Sequence, residues 1–365
     1  MSVILPDRIP IANTEVFSAL ALTTKGKYPV RHVQPVPDST RRINMKKIAA
    51  LTAVSVLTVS ALAINASAAD EQTFVVGICQ LVEHPALDAA TQGFKDAVTD
   101  EMGDAVTFDD QNANGDSAIC STIINGFVSD GVDLILANAT PSLQAAQAGT
   151  TEIPVLGTSI TEYGVALDID DFDGTVGGNI SGTSDLAPLD EQAAMLAELF
   201  PDAKKVGLLY CSAEANSQYQ VDTVSAALED LGYETEFYSF SDSNDLSSVA
   251  QSAVDNSDVL YIPTDNTCAS NAELINNIAL PAEVPVIAGE ENICAGCGVA
   301  TLSIDYYDLG YATGKMAVRI LRDGEDISEM PIEYAPQFTK KYNAENAEAL
   351  GVEIPDDYEA IETEE

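Results

Sequence analysis

The chain has 365 residues, 46% of them hydrophobic, which suits two lobes with real cores and argues against disorder. Its 58 Asp+Glu against 16 Lys+Arg give a formal charge of −42, which excludes a nucleic-acid surface or an anionic-lipid surface, because both need clustered bases. Trp is absent and aromatic residues are 6%, so an aromatic wall around a ligand must use Tyr or Phe.

Residues 1–44 show no periodicity. Met45-Lys46-Lys47 then leads into the apolar run Ile48–Ile64 and an Ala-x-Ala site at Ala66-Ser67-Ala68. A basic head, an apolar body and a small-residue end define a secretory signal peptide over 45–68, with a retained N-terminal anchor as the alternative. Signal peptides sit at true N-termini, so translation is expected to begin at Met45, with 1–44 a non-native extension. No Cys follows the apolar run, so a lipid anchor is not expected. The exported part keeps eight Lys/Arg against 55 Asp/Glu, about −47. That acidity reads as a solvated surface, or more sharply as a match to a cationic ligand.

The exported part opens with the strand Thr73–Cys79 and a helix from Pro85 to about Asp100. A strand Val106–Asp109, a helix Ser117–Asp130, a strand Val132–Ala137, a helix through Ala148 and a strand Ile153–Gly157 follow. This βα alternation predicts a parallel, doubly wound sheet. The pattern then returns. Val206 of KVGLLYC stands 131 residues after Val75, Asp258 of DVLYIPTD stands 125 after Asp133, and Pro285 stands 131 after Pro154. Three matched strands at near-constant spacing indicate two copies of one α/β unit. The Gly- and Ser-rich stretch Gly177–Asp185 between them reads as a hinge.

Strand Gly298–Ile304 and helix Tyr306–Leu321 come after the second copy. The expected fold is α/β, two doubly wound parallel-sheet lobes joined by several crossovers. Lobe one is expected over 69–183, lobe two over 184–289, a return to lobe one over 290–324, and a C-terminal segment 325–365 packed on lobe two. Such lobes enclose a cleft that traps a ligand by hinge closure.

Candidate ligand residues follow from the rule that α/β sheets bind ligands beyond the carboxyl ends of their strands, against helix N-termini. Thr140 and Ser142, with Thr158 and Ser159 after the next strand, could hold a carboxylate; plain helix capping is the structural alternative. Asp265, beside Asn266 and Thr267, could meet an ammonium, or simply cap the helix Ala269–Ile278. Ser212, Glu214 and Asn216 form the matching loop of lobe two. Glu290 and Asp305 follow strands near the crossovers. Gln80, Glu83 and His84 form the first loop of lobe one, where a lone His is more often structural than a ligand contact.

No Gly-x-Ser-x-Gly elbow supports a Ser/His/Asp hydrolase. His84 is the one His of the exported part, so a Cys/His zinc site is poorly supplied. No cofactor and no metal are expected. Cys294 and Cys297 form a CxxC without a thioredoxin context, read either as a local disulfide or as free thiols.

The segments VEHPALDAATQGFKDAV, GTSDLAP, YCSAEANSQYQV, YIPTDNT, SIDYYDLGYATGKMA and YNAENAEALGVEIP occur in this order. Together they resemble the TrpX-like, tryptophan/tyrosine-type substrate-binding proteins of ABC transporters, over roughly Phe74 to Pro355. The resemblance implies a type I periplasmic-binding-protein fold and no enzymatic activity. It also implies delivery of a small amino acid-like ligand, aromatic by preference, to a membrane permease; the signal peptide makes the protein extracytoplasmic, and a monomer is expected. A sensory binding protein feeding a receptor, or a binder of another small solute, are the alternatives. The cysteines depart from that family's pattern: Cys211 stands where Asn is common, Cys268 near a small apolar position, and Cys294–Cys297 in a loop usually free of Cys. In the expected mechanism lobe one holds the ligand's carboxylate and Asp265 of lobe two its ammonium.

Overall fold

A computed structural model describes residues 73–335 and 337–362; the expected extension 1–44 and signal peptide 45–68 lie outside them. Among the described residues, no helix is long and apolar enough to cross a membrane.

Lobe one begins with β1 (Phe74–Gln80), α1 (Pro85–Met102), β2 (Val106–Asn112), α2 (Ser117–Asp130), β3 (Leu134–Asn138), α3 (Thr140–Gly149), β4 (Val155–Ile160), α4 (Tyr163–Leu167) and β5 (Ile180–Ser184). Lobe two runs through α5 (Leu189–Leu199), β6 (Lys205–Cys211), α6 (Ala215–Asp230), β7 (Glu234–Phe240), α7 (Ser243–Asn256) and β8 (Val259–Ile262). It continues through α8 (Asn266–Ala269), α9 (Ala272–Ala279), β9 (Val286–Ala288), α10 (Glu291–Cys297) and β10 (Ala300–Ser303). Helix α11 (Tyr306–Leu321) and β11 (Glu333–Tyr334) belong to lobe one. The chain ends in lobe two with β12 (Thr339–Tyr342), α12 (Ala344–Leu350) and β13 (Glu359–Ala360).

The two sheets have the orders β2-β1-β3-β4-β5-β11 and β7-β6-β8-β9-β10-β12-β13. The core order repeats between lobes, which is the topological form of the sequence duplication. The strands pair in parallel except β12, which runs antiparallel to β10. Central strands read as unbroken apolar runs because helices cover both faces. β3 (LILAN) and β8 (VLYI) are buried at every position, whereas edge strands β2 and β7 carry exposed residues.

Three crossovers join the lobes: after Ser184, after Ser303, and between Tyr334 and Thr339. The strand pairings correct three expectations. Gly177–Asp185 is not a loose hinge, because Ile180–Ser184 is a buried strand and the first crossover starts at Asp185. Its glycine serves close approach: Gly182 has φ 147°, and a Cβ there would lie 2.1 Å from Gly157 O and 2.4 Å from Tyr163 Oη. The return to lobe one comes after β10, not at 290, because Ala300 and Thr301 pair with Ile287 and Ala288. Residues up to Tyr334 then stay with lobe one, since β11 pairs with β5.

Candidate functional site: a polar cavity between the lobes

Helix α1 starts the site. Pro85 fits its first turn, and no side chain caps it, so its first N–H groups are free for another partner. Its position is bolted from below. Asn138 Nδ2 donates to Leu87 O (2.8 Å) and to Thr91 Oγ1 (3.0 Å), and Thr91 Oγ1 donates to Gln80 Oε1 (2.6 Å). Gln80 Nε2 donates to Val82 O (2.9 Å) and Asp88 Oδ1 (2.6 Å). Gln80 therefore braces the loop, with both ends of its amide engaged within lobe one, and it does not line the cavity between the lobes.

On the facing lobe, Glu214 organises the N-terminus of α8. Its Oε2 accepts from Asn266 N (3.1 Å) and Asn266 Nδ2 (2.7 Å), and its Oε1 from Thr267 N (3.0 Å) and Thr267 Oγ1 (2.8 Å). Asp265 accepts from Cys211 N (2.7 Å) and Cys268 N (2.8 Å). Glu290 caps α10, accepting from Asn292 N (2.7 Å) and Ile293 N. Burial pushes Asp265 and Glu290 up to about 7 each, helped at Asp265 by the nearby Glu214 carboxylate.

Between the lobes lies a small cavity lined by His84, Ala86, Leu87, Ser159, Thr161, Asp185, Asn216, Thr264, Asp265, Asn266, Ala269, Glu290 and Tyr306. Four buried side-chain atoms on its wall lack any hydrogen-bond partner: His84 Nδ1, Ser159 Oγ, Asp185 Oδ1 and Asn216 Oδ1. Unpaired buried polar atoms cost about 1–3 kcal/mol each, so four on one wall call for water or a polar ligand to satisfy them. Ser159 is aimed there by a left-handed backbone (φ 56°) at a break in the β4–β5 register. Asp185 sits on the first crossover, where its Oδ2 accepts from Tyr306 Oη (2.9 Å) at the second. No Lys or Arg lines the cavity, and burial pushes Asp185 up to about 6.

The lobes meet across this cavity through His84 Nε2 and Asn266 Oδ1, 3.2 Å apart. Burial holds the His84 imidazole below its ordinary pKa, against the pull of Asn266, Glu214 and Asp88.

The structure thus brings Ser159, Asn216, Asp265, Asn266 and Glu290 onto one wall and leaves the other candidates off it. Thr140 is buried in the first turn of α3, away from the cavity. Ser142 meets the thiols of Cys79 (3.7 Å) and Cys120 (3.5 Å) in the core. Thr158 joins a buried hydroxyl cluster with Thr183 (3.3 Å) and Thr313 (3.2 Å). Glu83, Ser212 and Asp305 are exposed; Ser212 donates to Phe240 O (3.1 Å) and Asp305 caps α11 through Asp308 N (3.0 Å). Glu214 acts behind the wall. Each Asp265 oxygen already accepts one backbone N–H, from Cys211 and Cys268, whereas Asp185 Oδ1 accepts none. The expected helix Ala269–Ile278 is two helices, α8 and α9, parted at Ser270–Asn271. The six cysteines are buried free thiols.

Two duplicated α/β lobes, three crossovers and a small cavity of about 10 Å³ at the carboxyl ends of both sheets are the architecture of the type I periplasmic-binding-protein fold. The profile of the ABC transporter substrate binding protein family matches residues 75–364, and the chain belongs to that family. A tyrosine-binding protein of Clostridioides difficile (strain R20291) is 35% identical over 329 residues, 85% of this chain and 94% of the relative. An ABC domain from Streptococcus pneumonia in complex with L-Trp superposes with a TM-score of 0.74 at 30% identity, covering 78% of this chain and 96% of the other. A ligand-free, open structure of a substrate-binding protein with adhesive properties from Clostridium difficile gives 0.62 at 36% identity, covering 80% and 100%. By that membership the chain is the substrate-binding component of an ABC transporter.

Proposed function

We propose that the protein captures an aromatic L-amino acid outside the cytoplasm and hands it to an ABC permease, after export through residues 45–68. It acts as a monomer, without catalysis and without a cofactor. The observation that carries this reading is the convergence of four unpaired buried polar atoms on one cavity whose only carboxylate oxygen without a partner belongs to Asp185.

The ligand's ammonium pairs with Asp185 Oδ1, because a buried carboxylate with a free oxygen and no basic neighbour needs a cationic donor. Its carboxylate meets the Ser159 hydroxyl and the uncapped first turn of α1, whose Ala86 and Leu87 face the same cavity. Aromatic preference is supported by two relatives, one a tyrosine-binding protein and the other a complex with L-Trp. Bridging both lobes stabilises the arrangement in which they touch, and that form is the one delivered. In support, this chain superposes better on the L-Trp complex than on the open, ligand-free structure, although the latter is more similar in sequence. A thermal-shift screen across the twenty amino acids tests the proposal. Stabilisation by aromatic members is expected; a flat response to all of them would remove the amino-acid ligand.

A further inference from the structure

His84 stands where the two lobes meet, and each of its nitrogens has a role that its neighbours fix. Start with Asn266. Its Nδ2 donates to Glu214 Oε2 at 2.7 Å, so the amide is oriented and its Oδ1 is an acceptor. That Oδ1 faces His84 Nε2 at 3.2 Å, so Nε2 must carry a proton. The imidazole is buried, 6% exposed, with burial the largest influence on its titration and favouring the neutral form. A neutral ring protonated at Nε2 has a lone pair at Nδ1. Nδ1 is buried on the cavity wall and has no partner in the protein.

Asn216 is oriented in the same way. Its Nδ2 donates to Thr264 O at 3.0 Å, which leaves Oδ1 as an unpaired acceptor on the wall. The cavity therefore presents three acceptors, at His84, Asp185 and Asn216, and a donor-rich ligand is what satisfies them.

We propose that His84 is a ligand-contacting residue that couples recognition to lobe closure: Nδ1 accepts a proton donor of the ligand while Nε2–H donates to Asn266 on the opposite lobe. One ring then answers two questions at once. A ligand without a donor at that point leaves Nδ1 unpaired in the closed form. An open cleft separates Nε2 from Asn266. Glu214 is a positioning residue in this scheme, because it holds the Asn266 amide in the orientation that selects the His84 tautomer. The inference rests on the amino-acid reading for the identity of the donor, either the α-ammonium or a hydroxyl on the side chain.

Two substitutions separate the two nitrogens. His84→Gln places an amide nitrogen near Nε2 and keeps a donor for Asn266 while removing the acceptor at Nδ1. His84→Asn places an amide oxygen near Nδ1 and removes the reach to Asn266. Calorimetry with L-tyrosine is expected to show Kd weakened roughly 10- to 100-fold by His84→Gln, as for a lost hydrogen bond to a charged or well-buried group, and less by His84→Asn. Repeating the titration with L-phenylalanine identifies the donor. If the penalty of His84→Gln disappears, the phenol hydroxyl is bound there; if it persists, the ammonium is.

The second readout is nitrogen NMR of histidine-labelled protein, with His84→Gln assigning the resonances by difference. An unprotonated Nδ1 that shifts when L-tyrosine binds is expected. A protonated Nδ1, or wild-type affinity in His84→Gln, would overturn the role of His84. Failure of wild-type protein to bind L-tyrosine counts instead against the ligand reading, and the tautomer measurement still decides the state of the ring.

Discussion

Asp185 carries the heaviest chemical duty in the site. One oxygen accepts from Tyr306, and the other makes no hydrogen bond of normal geometry, although the Thr161 hydroxyl stands near enough to favour the charged form. Replacing it with Asn removes a charged partner for an ammonium, at about 2–5 kcal/mol, or roughly 30-fold or more in Kd. The fold should not suffer, because an unpaired buried charge is lost too. Calorimetry with L-tyrosine beside a thermal melt checks both halves. The buried acids also set a pH dependence. Asp185, Asp265 and Glu290 have folded pKa values above their ordinary ones, so the folded state binds more protons than the unfolded state between those values. Stability of the unliganded protein should therefore rise as pH falls from about 8 to about 5. His84, shifted down, opposes this below its ordinary pKa. Ligand affinity should move the other way, weakening as pH drops through the value of about 6 at Asp185, because protonation removes the ammonium's partner. Melting and binding measured over the same buffers would separate the two trends.

At the scale of the element, β5 and its glycine decide where the first crossover lies. Adding a methyl group at Gly182 puts a Cβ into Gly157 O and forces φ 147° on an L side chain. Gly182→Ala should cost at the upper end of single substitutions, about 3 kcal/mol, seen as a Tm lower by several degrees. The residue pattern GGNISGTSD looked like flexible chain because Gly serves both freedom and close approach, and composition alone does not separate the two. That one misreading also hid Asp185. Read as a strand, Ile180–Ser184 would have put Asp185 at a carboxyl end, where the same rule that picked out Asp265 and Ser159 would have picked it out too. The regular elements were legible because parallel strands are unbroken apolar runs bounded by caps: Ser117–Asp130 and Tyr306–Leu321 match the observed helices end for end. The distinction between a wall residue and a brace was not legible. Gln80, Ser142 and Thr158 sit at strand ends or helix starts as ligand residues do, and only the three-dimensional partners of their polar atoms show them spent.

For the whole molecule, the duplication supplies two walls and the three crossovers let one move against the other. His84 to Asn266 is a direct hydrogen bond between the lobes across the cavity, beside the Tyr306–Asp185 bond that links two crossovers. A ligand that bridges both walls should therefore draw the ensemble toward the compact arrangement. Small-angle scattering should show a smaller radius of gyration with L-tyrosine than without, and Asp185→Asn should blunt the change. The acidic surface, at a formal charge of −42, should have little part in this, since exposed charges are screened at ordinary salt.

The capture of a zwitterion is tested most directly by calorimetry with three compounds: L-tyrosine, tyramine, which lacks the carboxylate, and the desamino acid, which lacks the ammonium. Binding of L-tyrosine at micromolar Kd or better, with each truncated compound weaker by at least about 30-fold, is the expected result. Equal binding of all three, or binding of none, would contradict it.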